Sequence, residues 1–484
     1  MSGTLITLLG GTLHHTINTL SQINGSDYAN DALLGSPSAA GNVTVQYNKT
    51  PYKYVAGFAR LNYILQKKYI LNLNARRDGS SRFGPGRQFG NFGSAGAGWI
   101  FSEESYIKKI KPISYGKLRA SYGITGNDNI GDYQYIQQWL HTGNQYNNYE
   151  QIIGYIPGNL YNPDFSWSSN KKLELAVEIG LLKDRIIGSV AWYRNRSSNE
   201  LVTYNLPSQT GFSGVTANFP AVVENKGWEI DFQATPVKNL NFQWTTSINL
   251  SFPKNRLVRF PGMESSSYAT IYVIGQSVNV LNKFKYLGVD PATGIYLFDS
   301  KNGPTSTPTK YKDDVIIGDL DPDFFGGWSN SISYKSFSIQ VFINFRKQWG
   351  ANYLQQINNY PPGSLQINQP SEVMKRWQNP GDITSIQKFT SRSSGNATSI
   401  AANRFTNSSG AYSDASFIRL KTVSISYGLP KTILSRFHMQ QVQMYMQSQN
   451  LVTITGFKGN DPETQSFYGI PPLCTIVIGL LFTL

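Results

Sequence analysis

The sequence predicts an all-β fold, an antiparallel transmembrane β-barrel with short turns at one end and long loops at the other. Three observations indicate it: apolar and polar residues alternate, short and long connections alternate, and the composition is poor in charge. Tyr, Phe and Trp make up 13% of the 484 residues, whereas charged residues make up only 15%, against about 25% in soluble domains. A water-exposed surface normally carries more charge.

The clearest strand pair lies near the middle of the chain. Apolar and polar residues alternate strictly from 240 to 251, and they alternate in the same way from 228 to 234. A period of two predicts β-strands, and the intervening Pro236-Val237-Lys238-Asn239 predicts the turn of a hairpin. Each strand is about as long as the 9 to 11 residues that a tilted membrane strand needs.

The same unit recurs along the chain. Alternating runs flank short turns at 66–68, 183–185 and 335–336 and a segment that begins at Pro430, and the chain ends in a further alternating run. Longer connections rich in Asn, Ser, Gly and Pro separate these hairpins, at 126–171, 200–224, 253–283, 300–325, 350–414 and 451–473. This alternation is typical of outer-membrane barrels, with short turns in the periplasm and long loops outside the cell, and roughly 14 to 16 strands are predicted.

A soluble all-β sandwich is the alternative, because alternation alone cannot distinguish a face buried in a core from a face in lipid. Aromatic residues near the predicted strand ends favour lipid, since a membrane girdle would lie there. They are Trp99, Phe101, Trp192, Trp228 and Tyr427. No stretch reaches the roughly 18 consecutive apolar residues of a membrane-spanning helix, so a membrane location would require a barrel.

The chain carries no constellation typical of an enzyme, and no catalytic residue, cofactor or metal site is predicted. The histidines lack metal-ligand spacing and are expected in turns or loops; they are His14, His15, His141 and His438. Asp319, Asp321 and Asp323 resemble part of a calcium loop, but the pattern is broken and a structural loop is expected. The net charge of +14 is spread along the chain, which argues against nucleic acid and suits anionic lipid headgroups at least as well.

One predicted loop contains residue types that could bind a sugar. Between residues 126 and 171, five aromatic residues lie among Asn and Gln: Trp139, Tyr146, Tyr149, Tyr155 and Tyr161. Such rings could stack on a sugar while the amides hydrogen-bond to its hydroxyls. Packing of the loop on its neighbours explains the same residues and is the preferred interpretation.

A series of motifs runs through residues 54–484. They are Asn74-Ala-Arg-Arg-Asp-Gly-Ser-Ser-Arg-Phe-Gly84, Phe92-Gly-Ser-Ala, Trp99-Ile-Phe-Ser-Glu-Glu104, Lys117-Leu-Arg-Ala-Ser-Tyr-Gly-Ile-Thr-Gly-Asn127, Asn225-Lys-Gly-Trp-Glu229, Gly318-Asp-Leu-Asp-Pro-Asp-Phe324, Phe417-Ile-Arg-Leu-Lys421, Gln449-Asn-Leu-Val-Thr453, Gly459-Asn-Asp-Pro-Glu463 and Pro471-Pro472. In kind and order they resemble the SusC/RagA family of TonB-dependent transporters from Bacteroidota. Ser168, where the family usually has an acidic residue, and Leu484, where it usually has Phe, depart from the pattern.

The resemblance implies a plugged outer-membrane barrel of about 22 strands that imports oligosaccharides or peptides. It implies a SusD-like surface lipoprotein over the outer mouth, energy from the TonB–ExbB–ExbD complex, and contact with outer-membrane lipid and lipopolysaccharide. Residues 1–53 are then a residual barrel strand and loop of uncertain assignment, and 54–484 the carboxyl-terminal part of the barrel. A signal peptide, TonB box and plug have no counterpart, so we expect part of a longer protein. A soluble or surface-attached binding or adhesion protein without a transport role stays open as the alternative.

Overall fold

A computed structural model of the chain describes residues 2–141, 154–212, 214–390, 395–435, 439–466 and 469–483. The strands in these ranges are β1 Gly3–Tyr28, β2 Ala40–Leu65, β3 Tyr69–Ser80, β4 Phe89–Trp99, β5 Ile113–Asn127, β6 Gln138–His141, β7 Tyr155–Asn159, β8 Ser168–Leu181, β9 Ile186–Asn205, β10 Gly214–Lys238, β11 Phe242–Arg259, β12 Val280–Phe284, β13 Tyr286–Val289, β14 Tyr296–Phe298, β15 Asp314–Asp319, β16 Phe324–Tyr334, β17 Phe337–Lys347, β18 Trp349–Ala351, β19 Tyr412–Asp414, β20 Phe417–Gly428, β21 Gln441–Thr455 and β22 Thr475–Thr483. The α-helices are α1 Tyr353–Asn359, α2 Ala397–Phe405 and α3 Lys431–Leu434. Four residues discussed above lie outside the described ranges: Tyr146, Tyr149, His438 and Leu484.

The main sheet is an antiparallel meander. Among the described residues, 14 strands are hydrogen-bonded in the order β1-β2-β3-β4-β5-β8-β9-β10-β11-β16-β17-β20-β21-β22. The remaining eight strands form two-stranded sheets within the connections. The predicted all-β antiparallel fold is therefore confirmed, and the strand number agrees with the predicted range.

Along β3, the side chains on one face are mainly apolar and those on the other are mainly polar, as the period of two predicts. Leu71 pairs with Tyr63 on β2 and with Ala97 on β4, which gives a continuous apolar face. On the other face, the Asn62 amide donates to the Asn72 side-chain oxygen, and the Asn74 amide donates to Ser94 Oγ at 3.0 Å. Cross-strand hydrogen bonds of this kind link neighbouring strands along the polar face.

The apolar face of β11, β16 and β17 contains its own polar partners. Trp244 Nε1 donates to Asn330 Oδ1 at 3.2 Å, and Trp328 Nε1 donates to Thr246 Oγ1 at 2.9 Å. Both acceptors belong to the neighbouring strand and lie on the same face. Because lipid offers no acceptor to an indole N–H, these pairs remove the cost of placing tryptophan in an apolar band.

Several predicted boundaries are wrong. The 200–224 loop shrinks to 206–213 because β9 and β10 continue into it, since backbone pairing overrides a loop-like composition. Trp192 and Trp228 consequently lie within β9 and β10 rather than near strand ends. The turn predicted at 236–239 lies at 239–241 because the Asn239 side chain accepts hydrogen bonds from the backbone N–H groups of Asn241 and Phe242, an Asx turn.

The amino-terminal hairpin is longer than expected. β1 and β2 pair without a break from Gly3 opposite Leu65 to Ser26 opposite Asn42. His14 and His15, expected in a turn or loop, therefore lie on β1, and His141 lies on β6. Strand β2 also runs through residue 53, where the domain boundary was expected.

The chain divides into two compact units. Unit 1 comprises residues 1–99, 119–173 and 195–222, and unit 2 comprises residues 100–118, 174–194 and 223–484. Unit 2 contains a buried aromatic core in its long connections, formed by Phe284, Tyr296, Phe298 and Phe405. Within the described ranges, none of the helices has the length and apolar composition needed to cross a bilayer.

Candidate functional site

The predicted loop aromatics lie on and beside a small hairpin of unit 1. Strands β6 and β7 pair with Trp139 opposite Pro157 and His141 opposite Tyr155, so Trp139 and Tyr155 share one face of the hairpin. The exposed fractions of Trp139, Tyr155 and Tyr161 are 58%, 70% and 58%. These three rings are therefore largely uncovered in the described part of the chain, and a role in binding stays a prediction.

An arginine fixes the segment that leads into this hairpin. Arg82 Nε donates to Asp132 Oδ1 at 2.8 Å, and one guanidinium nitrogen donates to the Asp128 backbone oxygen at 2.8 Å. The Asp128 carboxylate in turn accepts from Tyr52 Oη and Ser80 Oγ, each at 2.8 Å. Charge-assisted bonds to several strands hold the start of the connection in one place.

An aromatic cluster fixes the segment that leaves the hairpin. The rings of Phe83 and Phe165 are fully buried. The ring centroids of Phe83 and Trp167 are 4.9 Å apart. Trp167 Nε1 donates to the Gln88 backbone oxygen at 3.0 Å, and the Asn162 amide donates to the Thr216 backbone oxygen at 2.9 Å. The hairpin thus extends from two anchored ends, which lowers the entropy lost when its rings meet a ligand.

The corresponding anchor in unit 2 is Arg419 on β20. Its side chain is 1% exposed and forms ion pairs with Asp461 and, at 2.6 Å, with Glu463, while its Nε donates to Thr453 Oγ1 at 2.9 Å. Asp461 also accepts backbone hydrogen bonds from Glu463 and Thr464. The buried guanidinium therefore helps to hold the connection between β21 and β22, together with the Gln348 amide, which donates to the Pro462 backbone oxygen at 2.8 Å.

The long connections of unit 2 form a folded module. The rings of Tyr296 and Phe405 stack with centroids 4.5 Å apart, and Tyr296 Oη accepts from the Asn358 amide at 3.0 Å. Burial raises the pKa of the Tyr296 phenol to about 12, so it remains neutral. Around this core, Asp321 accepts from Ser277 and Asn279 at 2.6 and 2.7 Å, which agrees with a structural rather than a calcium-binding loop.

A cavity of about 390 Å³ in unit 2 is lined by polar and apolar residues of the strands, among them Glu178, Asp231, Ser247, Ile248 and Phe342. The polar members offer acceptors and hydroxyls, but apolar surface predominates. Among the described residues, no group of three or more His, Cys, Asp or Glu is arranged to hold a metal ion.

Sequence reasoning missed the anchoring residues Arg82, Asp128, Trp167 and Arg419. The available signal was that Arg82, Asp128 and Arg419 lie in or next to the motifs of the resemblance, and that Trp167 precedes Ser168, a position at which the chain departs from the family pattern. What those residues contact could not be read from the motifs, because each contact joins segments far apart in the chain.

Residues 3–274 match the family described as TonB dependent receptor-like, beta-barrel. This chain belongs to that family. TonB-dependent receptor P39 of Formosa agariphila is 28% identical over 95% of this chain and 48% of its own length. TonB-dependent receptor SusC of Bacteroides thetaiotaomicron is 24% identical over 88% of this chain and 43% of its own length. The chain thus spans about half the length of the curated relatives it matches.

The solved structures agree with this TonB-dependent receptor fold. The RagAB peptide transporter superposes with a TM-score of 0.86 at 22% identity, over 100% of this chain and 53% of that one. The RagAB peptide importer in its closed-closed state gives a TM-score of 0.84. Receptors of this family reside in the outer membrane, which decides between the barrel and the soluble sandwich in favour of the barrel. The family is one of transporters rather than enzymes.

Proposed function

We propose that this chain supplies barrel wall and substrate-contacting loops to an active importer of oligosaccharides or peptides. A SusD-like lipoprotein covers the loops from outside, and the TonB–ExbB–ExbD complex supplies the energy. Membership of the TonB-dependent receptor family supports transport, and the similar fold of the RagAB peptide transporter supports peptides. The oligosaccharide alternative follows from the resemblance of the motifs to the SusC/RagA family. The proposal includes residues 1–53 in the barrel wall, and the hydrogen bonding of β1 and β2 within the 14-stranded sheet supports this.

The observation that carries the substrate class is the anchored hairpin with its exposed rings. Trp139 and Tyr155 lie on one face, where they can stack on the C–H face of a sugar or on an aromatic side chain of a peptide. Asn, Ser and Gln on the polar face of the strands, such as Asn72 and Ser94, offer further donors and acceptors. No step of this function breaks or forms a covalent bond, so no catalytic residue is needed.

The test is a deletion strain grown on a panel of glycans and peptides, complemented with the full-length gene. We expect growth on one polymer class to be lost on deletion and restored by the wild type. If the deletion abolishes growth on none of the glycans and peptides in the panel, import of oligosaccharides or peptides is refuted. Co-purification of a surface lipoprotein with the affinity-tagged protein tests the partner, and a protein purified without one would contradict it.

The hairpin is tested separately by the double variant Trp139→Ala/Tyr155→Ala. Two aromatic contacts at about 0.5 to 1.5 kcal/mol each predict a loss of roughly 5-fold to 150-fold in affinity. The matched control is Tyr106→Ala, which removes an equally exposed ring from the turn between β4 and β5. Equal uptake by wild type and double variant would refute the role of the hairpin while leaving import intact.

A further inference from the structure

One arginine on the main sheet of unit 2 has no partner of its own. Arg346 lies near the end of β17, and among the described residues it forms no ion pair or hydrogen bond. Its Nε is covered by protein and has no hydrogen-bond partner, whereas its terminal nitrogens are not covered. A guanidinium with a covered, unpaired nitrogen costs free energy, which an anion from outside the described chain would offset.

The strand pattern places Arg346 on the polar face of the sheet. On the apolar face, the Phe345 ring lies over Gly326, where a Cβ would come within 2.8 Å of it, and its centroid is 6.4 Å from that of Phe324. Since side chains alternate along a strand, Arg346 lies on the opposite face, as Asn344 does. In an outer-membrane barrel the polar face lines the lumen.

Arg346 also lies toward the outer end of this face. From Phe337, which follows the short turn at 335–336, the strand rises about 30 Å to Arg346, or about 22 Å across the membrane at the usual tilt. This rise approaches the height of the apolar band, which is about 25 Å. The guanidinium is therefore expected at the external mouth of the lumen, where an imported solute enters.

A second arginine on the same face is fully engaged. Arg419 on β20 faces the lumen in the same register, and its three nitrogens donate to Asp461, Glu463 and the Thr453 hydroxyl. These carboxylates belong to the anchor of the connection between β21 and β22. Arg346 is thus the arginine of this pair whose charge is not neutralised by a contact within the described chain.

Aromatic residues flank Arg346 in the register of the sheet. It pairs with Phe325 on β16 and with Phe417 on β20. Phe417 is buried, whereas Phe325 is 42% exposed and Phe342, on the same face of β17, is 37% exposed. An anion is bound more strongly by a cation in apolar surroundings than in bulk water. Because the base of the guanidinium is already packed, little conformational entropy is lost on binding.

We propose that Arg346 forms a subsite for a carboxylate carried by the imported solute. The planar donors of a guanidinium match the two oxygens of a carboxylate, and the exposed Phe325 ring offers an apolar surface to the adjoining part of the solute. Both proposed nutrient classes carry this group, at the carboxyl terminus of a peptide or on a uronic acid of an oligosaccharide. The inference rests on the import proposed above and adds a preference for acidic substrates.

Three variants of the full-length receptor test the subsite. Arg346→Gln removes the charge, and Arg346→Lys keeps the charge without the planar donors. The matched control is Arg60→Gln on β2, because Arg60 is an exposed cation that also lies on a polar face, opposite Asn74. Like Arg346, Arg60 forms no ion pair within the described ranges. Heat-modifiable migration on a gel establishes that each variant is folded.

The probes are two libraries offered to the immobilised receptor as equal mixtures of free and blocked carboxylates. One contains N-acetylated hexapeptides without Asp or Glu, as free acids and as carboxyl-terminal amides, and the other contains oligogalacturonates and their methyl esters. Captured species are counted by mass spectrometry. We expect wild type and Arg60→Gln to enrich the free acids of one library at least about 10-fold, Arg346→Lys to keep part of this enrichment and Arg346→Gln to lose it. The library that is enriched identifies the source of the carboxylate.

Each remaining outcome counts against the proposal. Equal capture of free and blocked forms by the wild type would overturn the subsite and leave import intact. Unchanged enrichment in Arg346→Gln, with a lower temperature of the gel shift, would assign the guanidinium to a contact with another part of the receptor. An equal loss of enrichment in Arg60→Gln would show that the overall charge of the lumen selects acids. Capture of neither library in either form would contradict the proposed nutrient class, and the subsite would fall with it.

Discussion

Arg419 provides a sharp test of how the outer connections are held to the strands. Replacing Arg419 by Ala removes a buried guanidinium that pairs with two carboxylates. Asp461 is only 7% exposed at its side chain, so its charge would remain buried without a cationic partner. We expect the connection between β21 and β22 to open more often than in the wild type.

The magnitude follows from the burial of the pair. Removing one partner of a buried ion pair costs about 3 to 5 kcal/mol, which corresponds to a roughly 150-fold to 5,000-fold rise in the opening equilibrium. The backbone hydrogen bonds that Asp461 accepts from Glu463 and Thr464 remain in the variant, so we expect a free-energy cost at the lower end of this range. Lys421 supplies the matched control on the same strand, because it lies 3.5 Å from Glu463 with both side chains 35% exposed. Its removal should cost about 0 to 1 kcal/mol.

Hydrogen exchange of peptides covering 457–466, measured on the detergent-solubilised full-length protein, reports the opening directly. Arg419→Ala should lose protection there, whereas Lys421→Ala should stay close to the wild type. Equal exchange in the two variants would show that burial of the guanidinium does not determine how the connection is held. Arg419→Lys keeps the positive charge but lacks the planar set of guanidinium donors. Its hydrogen exchange should be intermediate between those of Arg419→Ala and Lys421→Ala.

Three further predictions concern Arg82, Phe165 and Asp382. Arg82→Ala should cost about 1.5 to 3 kcal/mol of local stability and expose 128–141 to hydrogen exchange. The control is Arg87→Ala, which should change protection little because its pair with Asp164 is solvent-exposed. A larger loss of protection in Arg87→Ala than in Arg82→Ala would contradict the anchoring role. Phe165→Ala should cost about 3 to 5 kcal/mol and lower the temperature of the heat-modifiable gel shift, while Leu240→Ala at a fully exposed position should not. The Asp382 carboxyl accepts hydrogen bonds from the backbone N–H groups of Asn379 and Gln378, which lower its pKa below the ordinary value of 3.8. Its stabilisation is complete above that value and is lost as the pH falls through the lowered pKa, so pepsin cleavage near 378–382 should rise only below about pH 4 and should lose this pH dependence in Asp382→Asn.

The anchors link motifs that lie far apart in sequence. Arg419 belongs to Phe417-Ile-Arg-Leu-Lys421, and its partners Asp461 and Glu463 belong to Gly459-Asn-Asp-Pro-Glu463. Arg82 lies in the motif that ends at Gly84, and its partner Asp128 follows the motif that ends at Asn127. Arg419 joins a strand to a connection, whereas Arg82 joins two connections to each other, so these residues have a structural role in holding the loops.

Much of the fold could be predicted because the pattern that specifies a strand lies within a few neighbouring residues of the sequence. The alternation between 69 and 76 predicts a strand whatever its neighbours are, and the short turns at 66–68 and 335–336 predict which strands pair. Strand ends were predicted less well, as at β9 and β10, because polar residues there pair with neighbouring strands instead of forming a loop. The exposed positions of Trp139 and Tyr155 could not be predicted, since Tyr and Trp suit packing and binding equally.

The sequence by itself determined that this protein is an antiparallel β structure with one apolar and one polar face, and its motifs indicated the TonB-dependent receptor family. Only the tertiary structure decided which distant residues meet. It brought Arg82 to Asp128 and Asp132, and it buried Arg419 between two carboxylates. The physical reason is that alternation depends on neighbours two residues apart, whereas an ion pair depends on the register between strands and on where a long connection returns.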